Sequence, residues 1–167
     1  VVGNFDGARG FDIFWYRSRT GAIVRWISTG DRHFTSSSTS IGSGPWTPVV
    51  GNFQPTNQSD IFWYRAGASC PLWYFNGGSL TPSVVSQTID NSYAPFAGDF
   101  NGDGIDDVFW DAVGSGTDYL WAGIAGNAFD KGSNLTQMLG SYRSIAGNFG
   151  YGRSDCRNCD DVFWYKN

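Results

Sequence analysis

Two short phrases recur four times along this chain of 167 residues, and that repetition limits what the chain can fold into. The first phrase reads Val1-Val-Gly-Asn-Phe5, Val49-Val-Gly-Asn-Phe53, Phe96-Ala-Gly-Asp-Phe100 and Ile145-Ala-Gly-Asn-Phe149. The second reads Asp12-Ile-Phe-Trp-Tyr16, Asp60-Ile-Phe-Trp-Tyr64, Asp107-Val-Phe-Trp-Asp111 and Asp161-Val-Phe-Trp-Tyr165. The glycines of the first phrase, Gly3, Gly51, Gly98 and Gly147, lie 48, 47 and 49 residues apart. A repeat of this length cannot bury its own apolar face, so stability comes from stacking neighbours on a shared core.

Further positions keep the same register. Trp26, Trp73 and Trp121 follow Trp15, Trp63 and Trp110 by 11, 10 and 11 residues. Trp46, Tyr93 and Tyr142 each precede the next first phrase by three residues. All eight tryptophans, Trp164 included, therefore stand in repeat columns, where the plain reading of each is framework. Gly is 23 of 167 and aromatics are 17%, a balance that disfavours helices and favours short strands with tight turns.

Each repeat is predicted to hold four strands: the first phrase, the second phrase, a third at Ala22–Ser28, Pro71–Phe75 and Tyr119–Gly123, and a fourth at Phe34–Ile41, Ser83–Ile89 and Gln137–Gly140 extending to Tyr142. Four strands per 47–49 residues is the arithmetic of a propeller blade. The expected fold is an all-β propeller-type array of about 3.5 blades in one domain, with units 1–48, 49–95, 96–144 and a partial 145–167. No charged-then-apolar leader opens the chain, which reads as a mature form or an excerpt. Open ends of such an array mean either that the sequence is part of a longer chain or that further copies or a partner chain complete the ring.

Charge and composition exclude several partners. Eleven Lys and Arg against 15 Asp and Glu give a net charge of -4, with no basic stripe for nucleic acid or an anionic membrane. No apolar run approaches the ~20 residues of a membrane span. One histidine removes most catalytic triads and most His-based metal sites.

The turn after the third first phrase carries specific chemistry. In Asp99-Phe-Asn-Gly-Asp-Gly-Ile-Asp-Asp107, side-chain oxygens stand at Asp99, Asn101, Asp103 and Asp107, the Ile105 carbonyl can add a fifth, and Gly104 permits the sharp bend. That spacing wraps one hard cation, and calcium suits loose oxygen coordination best. The alternative is a metal-free, Asx-rich hairpin turn. Repeat one keeps Asn4, Asp6 and Asp12 but has Ala8 in place of Asp103, so its site is weaker or empty. Repeat two, with Asn52, Gln54, Thr56 and Asp60, is too neutral. In repeat four, Asn148 and Asp161 bracket a loop five residues longer.

The stretch from Asp99 to Trp110, followed by Leu120-Trp121, resembles the FG-GAP/VCBS-type repeat. The resemblance implies a calcium-stabilised β-propeller of the kind found in secreted proteins. Some members of that family are lectins, some are non-catalytic modules of extracellular enzymes, and some serve as the bodies of polysaccharide lyases. Scaffold alone does not fix which of these applies.

Cys156 and Cys159, separated by two residues in the enlarged loop, are expected to form a local disulfide, which fits an oxidising, extracellular compartment. Zinc would need Cys70 and His33 from other repeats, and a redox motif would need a helix start.

The leading functional expectation is a secreted, non-catalytic, lectin-like module that recognises glycans. Candidate contacts are Trp26 with Arg25, Trp73 with Tyr74 and Asn76, and Trp121 with Tyr119 and Asp118. The second reading is a protein-interaction or structural subunit of a secreted assembly. The third, a polysaccharide-degrading enzyme, rests on His33 beside Arg32 and Asp31, a setting more typical of a solvated turn.

Overall fold

A computed structural model describes residues 1–8, 10–76, 79–112, 116–126, 128–134, 142–150, 156 and 158–166. The described residues are all-β, with no helix. Repeat one forms β1 (Val2–Gly3), β2 (Asp12–Arg17), β3 (Ala22–Gly30) and β4 (His33–Ser40). Repeat two forms β5 (Thr47–Gly51), β6 (Asp60–Tyr64), β7 (Ala68–Asn76) and β8 (Ser79–Ile89). Repeat three forms β9 (Ala94–Gly98), β10 (Asp107–Asp111), β11 (Tyr119–Ile124) and β12 (Ala128–Asn134), and repeat four forms β13 (Tyr142–Gly147) and β14 (Asp161–Lys166). Each repeat is its own antiparallel meander, with strand order equal to chain order in three four-stranded sheets and one two-stranded sheet.

One strand assignment needs correction. The partner of β11 is β12 at Ala128–Asn134, paired Ile124↔Ala128 through Tyr119↔Asn134. The expected strand at Gln137–Gly140 lies outside the described residues, and Tyr142 opens β13. The sequence Ala-Phe-Asp-Lys-Gly-Ser-Asn has almost no β-branched or alternating signal, so the hairpin partner of β11, not propensity, makes it a strand.

Two compact bodies divide the chain: Val1–Asn52 with Thr56–Asp90, and Phe53–Pro55 with Asn91–Asn167. In the first body the core is built from opposite faces of two neighbouring sheets. Phe5, Phe14, Ile23 and Ile27 of repeat one pack on Ile61, Trp63, Trp73 and Phe75 of repeat two. Strand alternation explains the division of labour, since Phe14 and Trp15 must point to opposite faces, as must Phe62 and Trp63. Each sheet thus owns a phenylalanine face and a tryptophan face. Cys70, fully buried on the phenylalanine side of β7, holds its sulfur 3.4 Å from the Arg65 amide nitrogen. In the second body Phe96 stacks on Phe109 at 4.9 Å, and Phe109 meets Trp164 of repeat four edge-on at 5.7 Å.

The aspartate that opens each second strand ties its sheet together. Asp12 accepts the amides of Phe5 (2.8 Å) and Ser28 (2.9 Å), Asp60 accepts that of Phe75 (2.9 Å), Asp107 those of Phe100 (2.9 Å) and Gly123 (2.8 Å), and Asp161 that of Phe149 (3.2 Å). Buried backbone amides need such partners, which accounts for the acid at this otherwise apolar position.

Neighbouring repeats are also clasped by their backbones. The Ser59 amide donates to the Asn4 carbonyl at 2.6 Å while the Asn4 amide returns a bond to Ser59 Oγ at 3.0 Å. In the second body Asp160 and Asp99 repeat the exchange: the Asp160 amide reaches the Asp99 carbonyl at 2.6 Å, and the Asp99 amide reaches Asp160 Oδ2 at 3.1 Å.

Candidate functional site

The acidic turn of repeat three folds around its own carboxylates. Asp99 Oδ1 accepts the amides of Gly102 (2.6 Å) and Asp103 (3.1 Å), and Asp99 Oδ2 accepts that of Gly104 (2.9 Å). Asp103 Oδ1 accepts the Ile105 amide at 2.8 Å, and Asn101 Oδ1 accepts the Asp103 amide at 2.8 Å. The Asn101 amide group donates to both Asp103 Oδ2 (3.1 Å) and Asp107 Oδ1 (3.4 Å), so its hydrogens hold two carboxylates together. Gly104, at φ 86°, occupies the left-handed region that makes glycine necessary there. Burial pushes the Asp107 carboxyl up to about 6; the Gly123 and Phe100 amides pull it down, and the charges of Asp103 and Asp99 push it further up. Ile105 buries its side chain in the fold.

Among the described residues, no group of three or more His, Cys, Asp and Glu side chains is placed to hold a metal ion. The donor set is nonetheless of hard oxygens carrying mutual like charge, the chemistry a hard cation neutralises. In repeat one, Asn4 Oδ1 accepts the Gly7 amide, Asp6 Oδ1 the Ala8 amide, and Asp12 is buried in its bracing role, so these three are likewise engaged with backbone.

Cys156 and Cys159 form a disulfide, as the spacing predicts. It is seated on the acidic turn. Cys156 Sγ lies 3.7 Å from the Asn101 carbonyl oxygen, and a Cβ on Gly102 would run into the same sulfur. Cys156 and Cys159 of repeat four thus lie over the turn, next to the Asp160–Asp99 clasp.

The other distinctive feature is an aromatic surface on repeat one. Trp15 is 54% exposed, Trp26 40% and Phe34 44%. Trp15 meets Trp26 edge-on at 5.5 Å, and Trp26 lies 6.1 Å from Phe34. At the β3–β4 end this surface dips into an open depression of about 370 Å³ lined by Trp26, Arg32, His33, Phe34 and Ser36. Asp31 and Arg32, both at positive φ (49° and 65°), make the tight turn that brings His33 and Arg32 to its rim. Trp15, Phe34, Arg32 and His33 are absent from the expected glycan contacts. The signal available was the exposed serine-rich strand β4, Ser36 through Ser38, which leaves its aromatic neighbours uncovered.

The expected contacts separate into two classes. Trp26 is on the open surface, and Arg25 points to the opposite face, its Nε 3.1 Å from Ser37 Oγ. Asn76 is exposed at the end of β7, and Trp121 and Tyr119 are partly exposed, with Lys131 Nζ 4.4 Å over the Trp121 ring. Trp73 (8% exposed), Tyr74 (1%) and Asp118 (2%) are buried: the first two lie within sheet packing, and Asp118 accepts the Ala112 amide at 2.9 Å. Burial, with Asp60 close by, raises the Tyr74 phenol well above its ordinary range.

No helix among the described residues is long and apolar enough to cross a membrane, and the disulfide is consistent with an extracellular protein. Comparison of the chain with protein-family models, with curated proteins and with solved structures finds no match.

Proposed function

We propose that the chain is a secreted, non-catalytic, lectin-like carbohydrate-binding module whose sheets are blades of a calcium-stabilised β-propeller of the FG-GAP/VCBS type. The observation that carries this reading is the aromatic surface of Trp15, Trp26 and Phe34 opening into a depression rimmed by Arg32, His33 and Ser36. A pyranose offers one apolar C–H face and a ring of hydroxyls. A solvent-exposed indole covers the first, and planar or hydroxylated polar side chains at the rim fix the second. Asp99, Asn101, Asp103, Asp107 and the Ile105 carbonyl would hold calcium, which supplies the positive charge that offsets carboxylate repulsion in the turn.

The test is a broad glycan array probed with calcium present, followed by calorimetry on the best ligand. Trp26→Ala and Arg32→Ala are expected to weaken binding at least tenfold each, a loss of about 1.4 kcal/mol, without lowering the melting temperature. Absence of binding to every glycan, from folded protein, rejects the reading.

A further inference from the structure

The chain carries two bare apolar faces of opposite type, and they are halves of a junction that it already makes twice internally. In the first body the phenylalanine face of repeat one, Phe5 and Phe14, is fully covered by the tryptophan face of repeat two, Trp63 and Trp73. In the second body Phe109 of repeat three meets Trp164 of repeat four in the same sense. Repeat one has its own tryptophan face on the other side, where Val2 (57% exposed), Trp15 (54%) and Trp26 (40%) are open. Repeat four has its own phenylalanine face, where Ile145 (48%), Phe149 (60%) and Phe163 (57%) are open. Ile145 pairs across the sheet with Phe163, and Phe149 packs 6.4 Å from Phe163, as Phe5 packs on Phe14 in repeat one.

We propose that the phenylalanine face of repeat four docks on the tryptophan face of repeat one in a second copy of this chain, continuing the internal junction head to tail. Two observations single out a second copy. The two open faces are complementary to each other and not to themselves, and the contact would extend an interface already present between successive repeats. Such a heterologous contact closes into a ring or propagates, according to the rotation it imposes. In repeat four the docking face is carried by the paired strands β13 and β14.

Glycan binding does not enter this argument; a docked copy would cover Trp15 and Trp26 as the internal junction covers Trp63 and Trp73, so the two uses of that face exclude one another.

The experiment is sedimentation of the 167-residue chain, without glycan, up to about 200 μM, well above the micromolar range of a weak interface. The wild type is expected to rise from monomer to dimer or larger with concentration, with a blue shift of tryptophan emission. Trp15→Glu and Phe163→Glu, both at exposed positions, are each expected to remain folded monomers when alone. Mixed one to one they retain one intact face each and are expected to form a dimer that grows no further. A wild type that stays monomeric throughout overturns the proposal and assigns the faces to some other occupant. Association that survives either substitution, or a mixture that stays monomeric, also overturns it.

Discussion

Residues 12–16 and 60–64 are the same pentapeptide, Asp-Ile-Phe-Trp-Tyr, in the same strand position of adjacent sheets. All five residues of the second copy are buried, whereas in the first Trp15 is 54% exposed against 0% for Trp63. The local sequence sets the strand, its register and which side chain points to which face. Burial is decided by what lies against that face, because a two-sided strand needs a layer on each side. The one phrase is therefore buried throughout in repeat two, whereas in repeat one Phe14 is core and Trp15 is presented at the surface.

The sharpest way to break this comparison is truncation of the two tryptophans. Trp63→Ala is expected to cost about 3–5 kcal/mol of unfolding free energy, since it empties a fully buried site. Trp15→Ala is expected to cost under about 1 kcal/mol in dilute monomer. Trp63 Nε1 has no hydrogen-bond partner among the described residues, so its contribution is packing. Urea unfolding of both variants decides it, and equal losses would mean that both faces of β2 are covered in solution.

The turns offer the next comparison. Repeat three has the acidic turn, whereas repeat two has Gln54 and Thr56 at the matching places. Calcium at about a hundredfold excess over its dissociation constant is expected to add about 2.7 kcal/mol of stability, removed by chelator. Asp103→Ala is expected to abolish that response and Thr56→Ala to leave it intact, as read by differential scanning calorimetry. A chelator-insensitive wild type would reduce the turn to its backbone hydrogen bonds.

The bracing aspartates sharpen the comparison at smaller scale. Asp60→Ala orphans the Phe75 amide in a buried setting and is expected to cost about 1–3 kcal/mol. Asp161→Ala, at a partly exposed position where water can replace the carboxylate, is expected to cost less. Thermal unfolding of the pair orders them.

The smallest effect is one of pH. Burial, and then Asp118, raises the Asp111 carboxyl, while a side-chain bond from Ser144 lowers it. A carboxyl raised in the folded state binds its proton more tightly there than in the unfolded chain, so its contribution to stability falls as pH rises above the ordinary carboxylate range. Asp111→Asn is therefore expected to gain stability relative to wild type between pH 4 and 7, with the difference vanishing below pH 4. Parallel melting curves across that range would contradict it.

The period, the β class and the strand phrases were legible because Gly3, Trp15 and their counterparts are fixed by backbone and packing needs that every repeat shares. The disulfide was legible because two cysteines three positions apart in an enlarged loop have few other partners. The fourth strand of repeat three was not, because Ala128–Asn134 is held by its hairpin neighbour and has little pattern of its own. Nor could the sequence distinguish Trp26 from Trp73, which occupy one repeat column but differ in exposure, 40% against 8%. Asp12 and Asp107 looked like ligands through their spacing; the structure adds a bracing role shared with Asp60, where the turn is neutral.

Cys70 turns the sheet of repeat two into its own reporter. Its thiol is fully buried and burial raises its pKa, with Arg65 acting in the opposite direction, so almost no thiolate is presented to a reagent while the sheet is closed. Iodoacetamide can then reach the sulfur only through an opening of β7, and at high reagent concentration the rate of labelling equals the rate of that opening. A single native atom thereby gives a kinetic clock for the sheet of repeat two, with no label added and no residue changed.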